Sequence, residues 1–122
     1  MLKKNSKPLP RSPHGRAVAL ARMISDKKGQ GVCIFDLRGI SPITDYFVIA
    51  EGLSELHNRT IADHLSSLEK PNHVEGRDPG SWVLLDFIDV IVHIFSHETR
   101  LFYGLERLWG DAPRIGFEDD DH

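Results

Sequence analysis

The sequence predicts one compact α/β domain, with a mixed five-stranded sheet and helices packed against it. Three observations lead there. Apolar residues recur at helical spacing in three segments, β-rich runs separate those segments, and the connections between neighbouring strands are too short for a fully parallel sheet. A chain of 122 residues has room for one domain, which buries roughly two thirds of the surface that its unfolded form exposes.

The elements follow in the order α-β-β-α-β-β-β-α. Residues 1–11, with Lys3, Lys4, Lys7, Pro8 and Pro10, lack apolar periodicity and are expected to be a flexible basic arm ahead of a domain over 12–113. Ser12 and Pro13 suit an N-cap and first helical position, and Ala17, Leu20, Ala21 and Ile24 then repeat along one helix face. Lys27 and Lys28 place cations at the negative end of that helix, and Gly29 supplies a residue that readily takes positive φ. Val32 to Leu37 reads as a strand, Gly39-Ile40-Ser41-Pro42 breaks it, and Thr44 to Ala50 forms its antiparallel neighbour. Ser54 then caps a second helix with Ile61, His64, Leu65 and Leu68 inward, which Lys70-Pro71 stops.

Val74-Glu75 is a short strand, and Trp82–Phe87 with Val90–Phe95 forms a hairpin. With Asp86 opposite Asp89, Val83 pairs with Val92 and Leu85 with Val90 on one face. Trp82, Leu84, Ile91, His93 and Phe95 share the other face. Both faces are apolar, so two coverings are expected. The last helix begins at Ser96 or His97 and turns Leu101, Phe102, Leu105, Leu108 and Trp109 inward. At 100° per residue Tyr103 lies about 200° from Leu101, on the wet side with Arg100, Glu106 and Arg107. Residues 114–122, ending in Glu118-Asp119-Asp120-Asp121, read as an acidic tail.

The net charge of -3 conceals an asymmetry. Met1 to Lys28 hold eight Lys/Arg and one acid, Asp26, whereas the remainder holds seven basic and seventeen acidic residues. So acidic a body argues against a nucleic-acid groove and suits a basic protein partner. For the basic arm, solvation and contact with RNA are the two readings. The lone Cys33 excludes an intrachain disulfide and a Cys-based zinc site, and fits a reducing compartment. No apolar run approaches the length of about 20 residues that a spanning helix needs, and no signal-peptide block opens the chain, so a cytoplasmic location is expected.

Convergent chemistry is hard to assemble. His93 falls on a strand and His97 at a helix entrance, so they do not share a helix face as paired zinc ligands do. His57 and His64 share a face, where packing explains them. Asp86 and Asp89 flank the hairpin turn; turn solvation accounts for them, and a magnesium or acid/base pair is the alternative. Cys33 lies mid-strand without an activating helix end, which favours an inert thiol. Glycine-rich dinucleotide and phosphate loops are absent from the sequence. Hence no catalytic, cofactor or metal site is expected. What folding leaves unexplained is aromatic surface: Trp82 and Leu84 on the second hairpin face, and Tyr103 on the last helix, rimmed by acids as protein-binding patches are.

Several blocks, in order, carry a family resemblance. Thr44-Asp45-Tyr46-Phe47-Val48-Ile49-Ala50, Ile61-Ala62-Asp63-His64, Val74-Glu75-Gly76, Trp82-Val83-Leu84-Leu85-Asp86 and Asp89-Val90-Ile91-Val92-His93-Ile94-Phe95 lead to the run from Phe102 through Tyr103-Gly104-Leu105-Glu106-Arg107-Leu108-Trp109-Gly110 to Pro113. Together they resemble the ribosomal silencing factor family, RsfS or Iojap, from about Gly15 to Pro113. The resemblance implies a nucleotidyltransferase-like shape without its catalytic residues. It also implies binding to the large ribosomal subunit through ribosomal protein number fourteen, steric obstruction of subunit joining, and repression of translation in starvation or stationary phase. Some members assist large-subunit assembly. The family's partner-contacting Trp and Tyr fall on Trp82 and Tyr103; Leu84, Asp86 and His93 join them by proximity on the hairpin. A self-associating protein using the same face and a nucleotidyl-transfer enzyme using Asp86 and Asp89 are the rival readings. Where the family's hairpin turn usually reads aromatic-Gly, this chain has Phe87-Ile88.

Overall fold

The computed structural model of the chain describes residues 9–117. The expected arm up to Pro8 and the acidic run Glu118–Asp121 therefore lie outside the described residues. Helix α1 (Pro13–Asp26) begins as its sequence dictates: Ser12 Oγ accepts the Gly15 N–H at 3.0 Å and Pro13 takes a first-turn position. Ala17, Leu20, Ala21 and Ile24 are all buried. At its end Lys28, rather than Gly29, takes positive φ (73°). Gly29 is needed for another reason, since a Cβ there would strike Ile24 Cγ2.

Strands β1 (Gln30–Asp36) and β2 (Tyr46–Glu51) pair antiparallel, with Phe35 opposite Phe47. Helix α2 (Glu55–Leu68) is capped by Ser54, whose Oγ accepts the His57 N–H at 3.0 Å. Its inner stripe is Asn58, Ile61, Ala62 and Leu65, with His64 and Leu68 only half-buried at its flank. Asn58 lies inside with its Nδ2 donating to the Gly80 carbonyl at 2.8 Å, which offsets part of its desolvation, while its buried Oδ1 has no hydrogen-bond partner among the described residues. Strands β3 (His73–Glu75), β4 (Trp82–Asp86) and β5 (Val90–Phe95) complete the expected set. A sixth, β6 (Arg114–Ile115), pairs with β1 where the chain reads as the start of a polar tail. Ile115 and Phe117 pack against the core, and the Asp36 N–H donates to the Pro113 carbonyl at 2.8 Å. That apolar pair ties 114–117 to the sheet.

The sheet order is β3-β4-β5-β2-β1-β6, and β2 with β5 is the parallel pair among the described strands. The sheet is mixed, as the short connections require. α1 and α2 cover one face over Val48, Val83, Leu85, Val90, Val92 and Ile94. Arg16 pins the hairpin end to both helices: it donates to Glu69 (2.9 Å, twice), Asp89 (3.1 Å) and the Phe87 carbonyl (3.3 Å).

Two local readings are corrected. The β4–β5 register sets Leu85 opposite Val92, Val83 opposite Ile94 and Asp86 opposite Ile91, so Asp86 does not face Asp89. Phe87 is buried and donates to the Val90 carbonyl at 2.9 Å, which leaves Ile88-Asp89 as the loop, with Ile88 at φ 78°. Because the partners move by two residues, each side chain keeps its face. The final helix is also not continuous. Gly104 adopts a left-handed conformation (φ 57°, ψ 42°) and divides it into α3 (His97–Tyr103) and α4 (Leu105–Leu108). The break redirects the stripe, so Leu105 and Trp109 pack against the second sheet face while Leu101, Phe102 and Leu108 are exposed.

Candidate functional site

The second face of the sheet is covered unevenly. Leu105, Trp109 and Ala112 pack over Phe35, Leu37, Ile49 and Phe95, closing the β1–β2 side. Toward β3 the covering stops. Alternation along β4 sets Trp82 and Leu84, both half-buried, on this open portion, and β5 sets His93 beneath them, opposite Leu84.

Trp82 organises the site. Its ring lies 4.6 Å from that of Tyr103 and 4.9 Å from that of Phe95, centroid to centroid, and its Nε1–H donates to His93 Nδ1 at 3.1 Å. That bond fixes the neutral tautomer of His93 with its proton on Nε2. His93 is almost fully buried, 4% exposed, and burial pushes its pKa down to about 4. The Phe47 ring meets it edge-on at 4.5 Å, and Trp109 lies 5.9 Å beyond Phe47. Aromatic contacts thus run unbroken from the closed half of the face to Tyr103, which is 52% exposed.

Four of the five residues predicted from the sequence therefore meet: Trp82 touches Tyr103 and His93, and Leu84 pairs with His93. Asp86 lies on the same face two residues further along β4, where its Oδ1 accepts the Ile88 N–H at 2.7 Å. Tyr103 does reach the surface, but not on a wet helix side shared with Arg100. It leans on Trp82, whereas the Arg100 side chain is 11% exposed and turned into the protein. Phe102 extends the exposed surface, 79% accessible and 5.0 Å from the Tyr103 ring. Helical periodicity turned Phe102 inward; Gly104, two residues on, was the available signal against that.

The rival chemistry does not assemble. Asp89 is drawn toward α1 by Arg16, while Asp86 caps the turn on the opposite face. His57 Nδ1 accepts the Leu53 N–H at 2.9 Å and its Nε2 faces the Lys27 carbonyl at 2.7 Å, so both ring nitrogens serve the fold. Burial pushes the Cys33 thiol pKa up, opposite to what a nucleophile needs. No group of three metal-capable side chains converges among the described residues. No helix of the described residues is long and apolar enough to cross a membrane.

Fold and site thus define a small α/β domain that presents a continuous aromatic surface on the half-covered face of its sheet. Residues 10–122 match the family model described as RsfS, ribosomal silencing factor during starvation, and the chain belongs to that family. A ribosomal silencing factor RsfS from Halalkalibacterium halodurans is 39% identical over 100 residues, 78% of this chain and 86% of that protein. A mouse protein named for mitochondrial assembly of the ribosomal large subunit is 29% identical over 74% of this chain and 43% of its own length. A crystal structure from Bacillus halodurans superposes with a TM-score of 0.71 at 34% identity, covering 81% of this chain and 95% of that one. The names of these relatives refer to ribosome silencing and to assembly of the ribosomal large subunit.

Proposed function

We propose that this chain is a ribosomal silencing factor acting in the cytoplasm by protein contact. It binds the large ribosomal subunit through ribosomal protein number fourteen, sterically blocks docking of the small subunit, and represses translation under nutrient limitation or in stationary phase. The observation that carries this reading is the Trp82–Tyr103 pair, two large aromatics in contact at the open edge of the sheet. Such pairs bury large area at low entropic cost and dominate interface energetics. Leu84 continues the surface, His93 holds Trp82 in place through the indole bond, and Asp86 meets a basic partner residue at the rim, where a charge mainly sets on-rate.

The test is co-sedimentation with isolated large subunits. The parent chain is expected to bind and to block joining. Trp82→Ala and Tyr103→Ala are each expected to weaken binding by at least tenfold, the loss of about 1.4 kcal/mol or more typical of an interface anchor. If both variants bind and block joining as the parent does, the site is wrong. A role in large-subunit assembly is the second reading, favoured by the mouse relative's name. It predicts accumulation of immature large subunits on depletion. Self-association through the same face is compatible with either role. It predicts concentration-dependent dimers in light scattering that dissolve when the ribosomal partner is added. Contact of the basic N-terminal arm with ribosomal RNA would add a salt-dependent component, lost on removal of Lys3, Lys4 and Lys7.

A further inference from the structure

Helix α3 carries Tyr103, yet none of its residues is buried. No buried apolar stripe, of the kind that holds α1 and α2 to the sheet, holds this helix. Its attachments are the Tyr103–Trp82 contact and a set of polar bonds centred on Arg100.

The Arg100 guanidinium is turned inward and spends its donors on three parts of the chain. Nη2 donates to the Gly31 carbonyl on β1 at 2.7 Å. Nε and Nη2 form a fork to the Glu106 carboxylate of α4, at 3.0 and 2.8 Å. Nη1 reaches Glu51 at the end of β2 at 3.4 Å, and the other oxygen of Glu51 meets His97 Nδ1 at the start of α3, at 2.9 Å. One side chain thus ties α3 to two strands and bridges the break at Gly104 to α4. Gly31 makes room for it, since a Cβ there would lie 2.7 Å from Arg100 Nη1. Arg100 precedes Tyr103 by three residues, so the two project from neighbouring sides of one helical turn. Arg100 holds α3 over β1 and β2, and Tyr103 then falls over β4.

We infer that Arg100 is the positioning residue of the docking surface: its bonds to Gly31, Glu51 and Glu106 set α3 so that Tyr103 rests on Trp82. Arg100 acts through Tyr103 and not by touching the partner, since its side chain is 11% exposed and each of its three nitrogens is already bonded within the chain. A lysine keeps the charge but lacks the planar fork, so it cannot make the bidentate bond to Glu106 while also reaching Gly31. The functional part of this inference rests on the proposed binding through Trp82 and Tyr103.

The test has two arms on the full chain. In the free protein, the Trp82 indole N–H resonance is followed in the parent, Arg100→Lys and Glu106→Gln, with Tyr103→Ala as the reference and thermal unfolding alongside. Both variants are expected to remain folded and to shift that resonance in the same direction as Tyr103→Ala does. In the second arm, affinity for purified large ribosomal subunits is measured for Arg100→Lys, Tyr103→Ala and the double variant. Arg100→Lys is expected to bind about tenfold more weakly than the parent, and the double variant no more weakly than Tyr103→Ala alone, the non-additivity of residues acting as a unit. An unchanged indole resonance in both variants overturns the inference, as do penalties that add in the double variant. If the parent itself fails to bind large subunits, the proposed function fails, and the indole arm still decides the positioning.

Discussion

Lowering the pH should loosen the site through His93. The imidazole is 4% exposed and its folded pKa is pushed by burial to about 4, against an ordinary value of 6.5. The Trp82 indole N–H donates to Nδ1, the nitrogen that would have to accept the proton. Protonation therefore turns a hydrogen bond into two opposed donors. In the unfolded chain the ring takes its proton below about 6.5, whereas in the folded chain it resists until about 4. The unfolded state binds more protons between those values, so stability is complete above pH 7, declines as pH falls through 6.5, and stops declining from this source below 4. A difference of about 2.5 pKa units corresponds to roughly 3 kcal/mol. His64, also lowered by burial and then by Lys27, adds a change of the same sign, so a comparison is needed. His93→Asn keeps an acceptor for Trp82 and removes the titration. Urea unfolding of the parent and of His93→Asn from pH 7.5 to 4 is expected to show a gap between the two that narrows by roughly 3 kcal/mol on acidification. A gap constant within error across that range would refute the reasoning.

Two further substitutions probe the backbone devices that shape the face. Ile88 is β-branched, exposed and held at φ 78°; Ile88→Gly removes the steric penalty and is expected to raise stability by about 1 kcal/mol in urea titrations. Gly104→Ala places a Cβ at φ 57° and is expected to cost about 1–2 kcal/mol, with hydrogen exchange accelerated in α3 and α4 more than in the sheet.

The helices and strands were legible wherever a local rule and the buried pattern agree. Ser12, Pro13 and the Ala17–Ile24 stripe define α1 without help from the rest of the chain, and the alternation in β4 and β5 assigns both hairpin faces even though the register differs by two residues. The misreadings fall where a tertiary contact overrides a local preference. Asn58 is drawn inside by a carbonyl on a distant loop, Ile88 takes positive φ beside the buried Phe87, and Arg100 is pulled inward by acceptors 49 and 69 residues away. No periodicity in the sequence announces those partners. The candidate site was legible in the alternation of β4 and β5, which sets Trp82, Leu84 and His93 on one face of the hairpin. The packing of Tyr103 on Trp82 was not, since it depends on the break at Gly104 and on the ion cluster that fixes α3.

The measurement that tests the central claim most directly is a cryo-electron microscopy structure of the full chain bound to the large ribosomal subunit. The account predicts Trp82 and Tyr103 buried against ribosomal protein number fourteen on the surface where the small subunit docks, with Leu84 beside them and Asp86 at the rim. Density that places the chain away from that surface, or that seats it there through α1 and α2 with Trp82 and Tyr103 facing solvent, would contradict it.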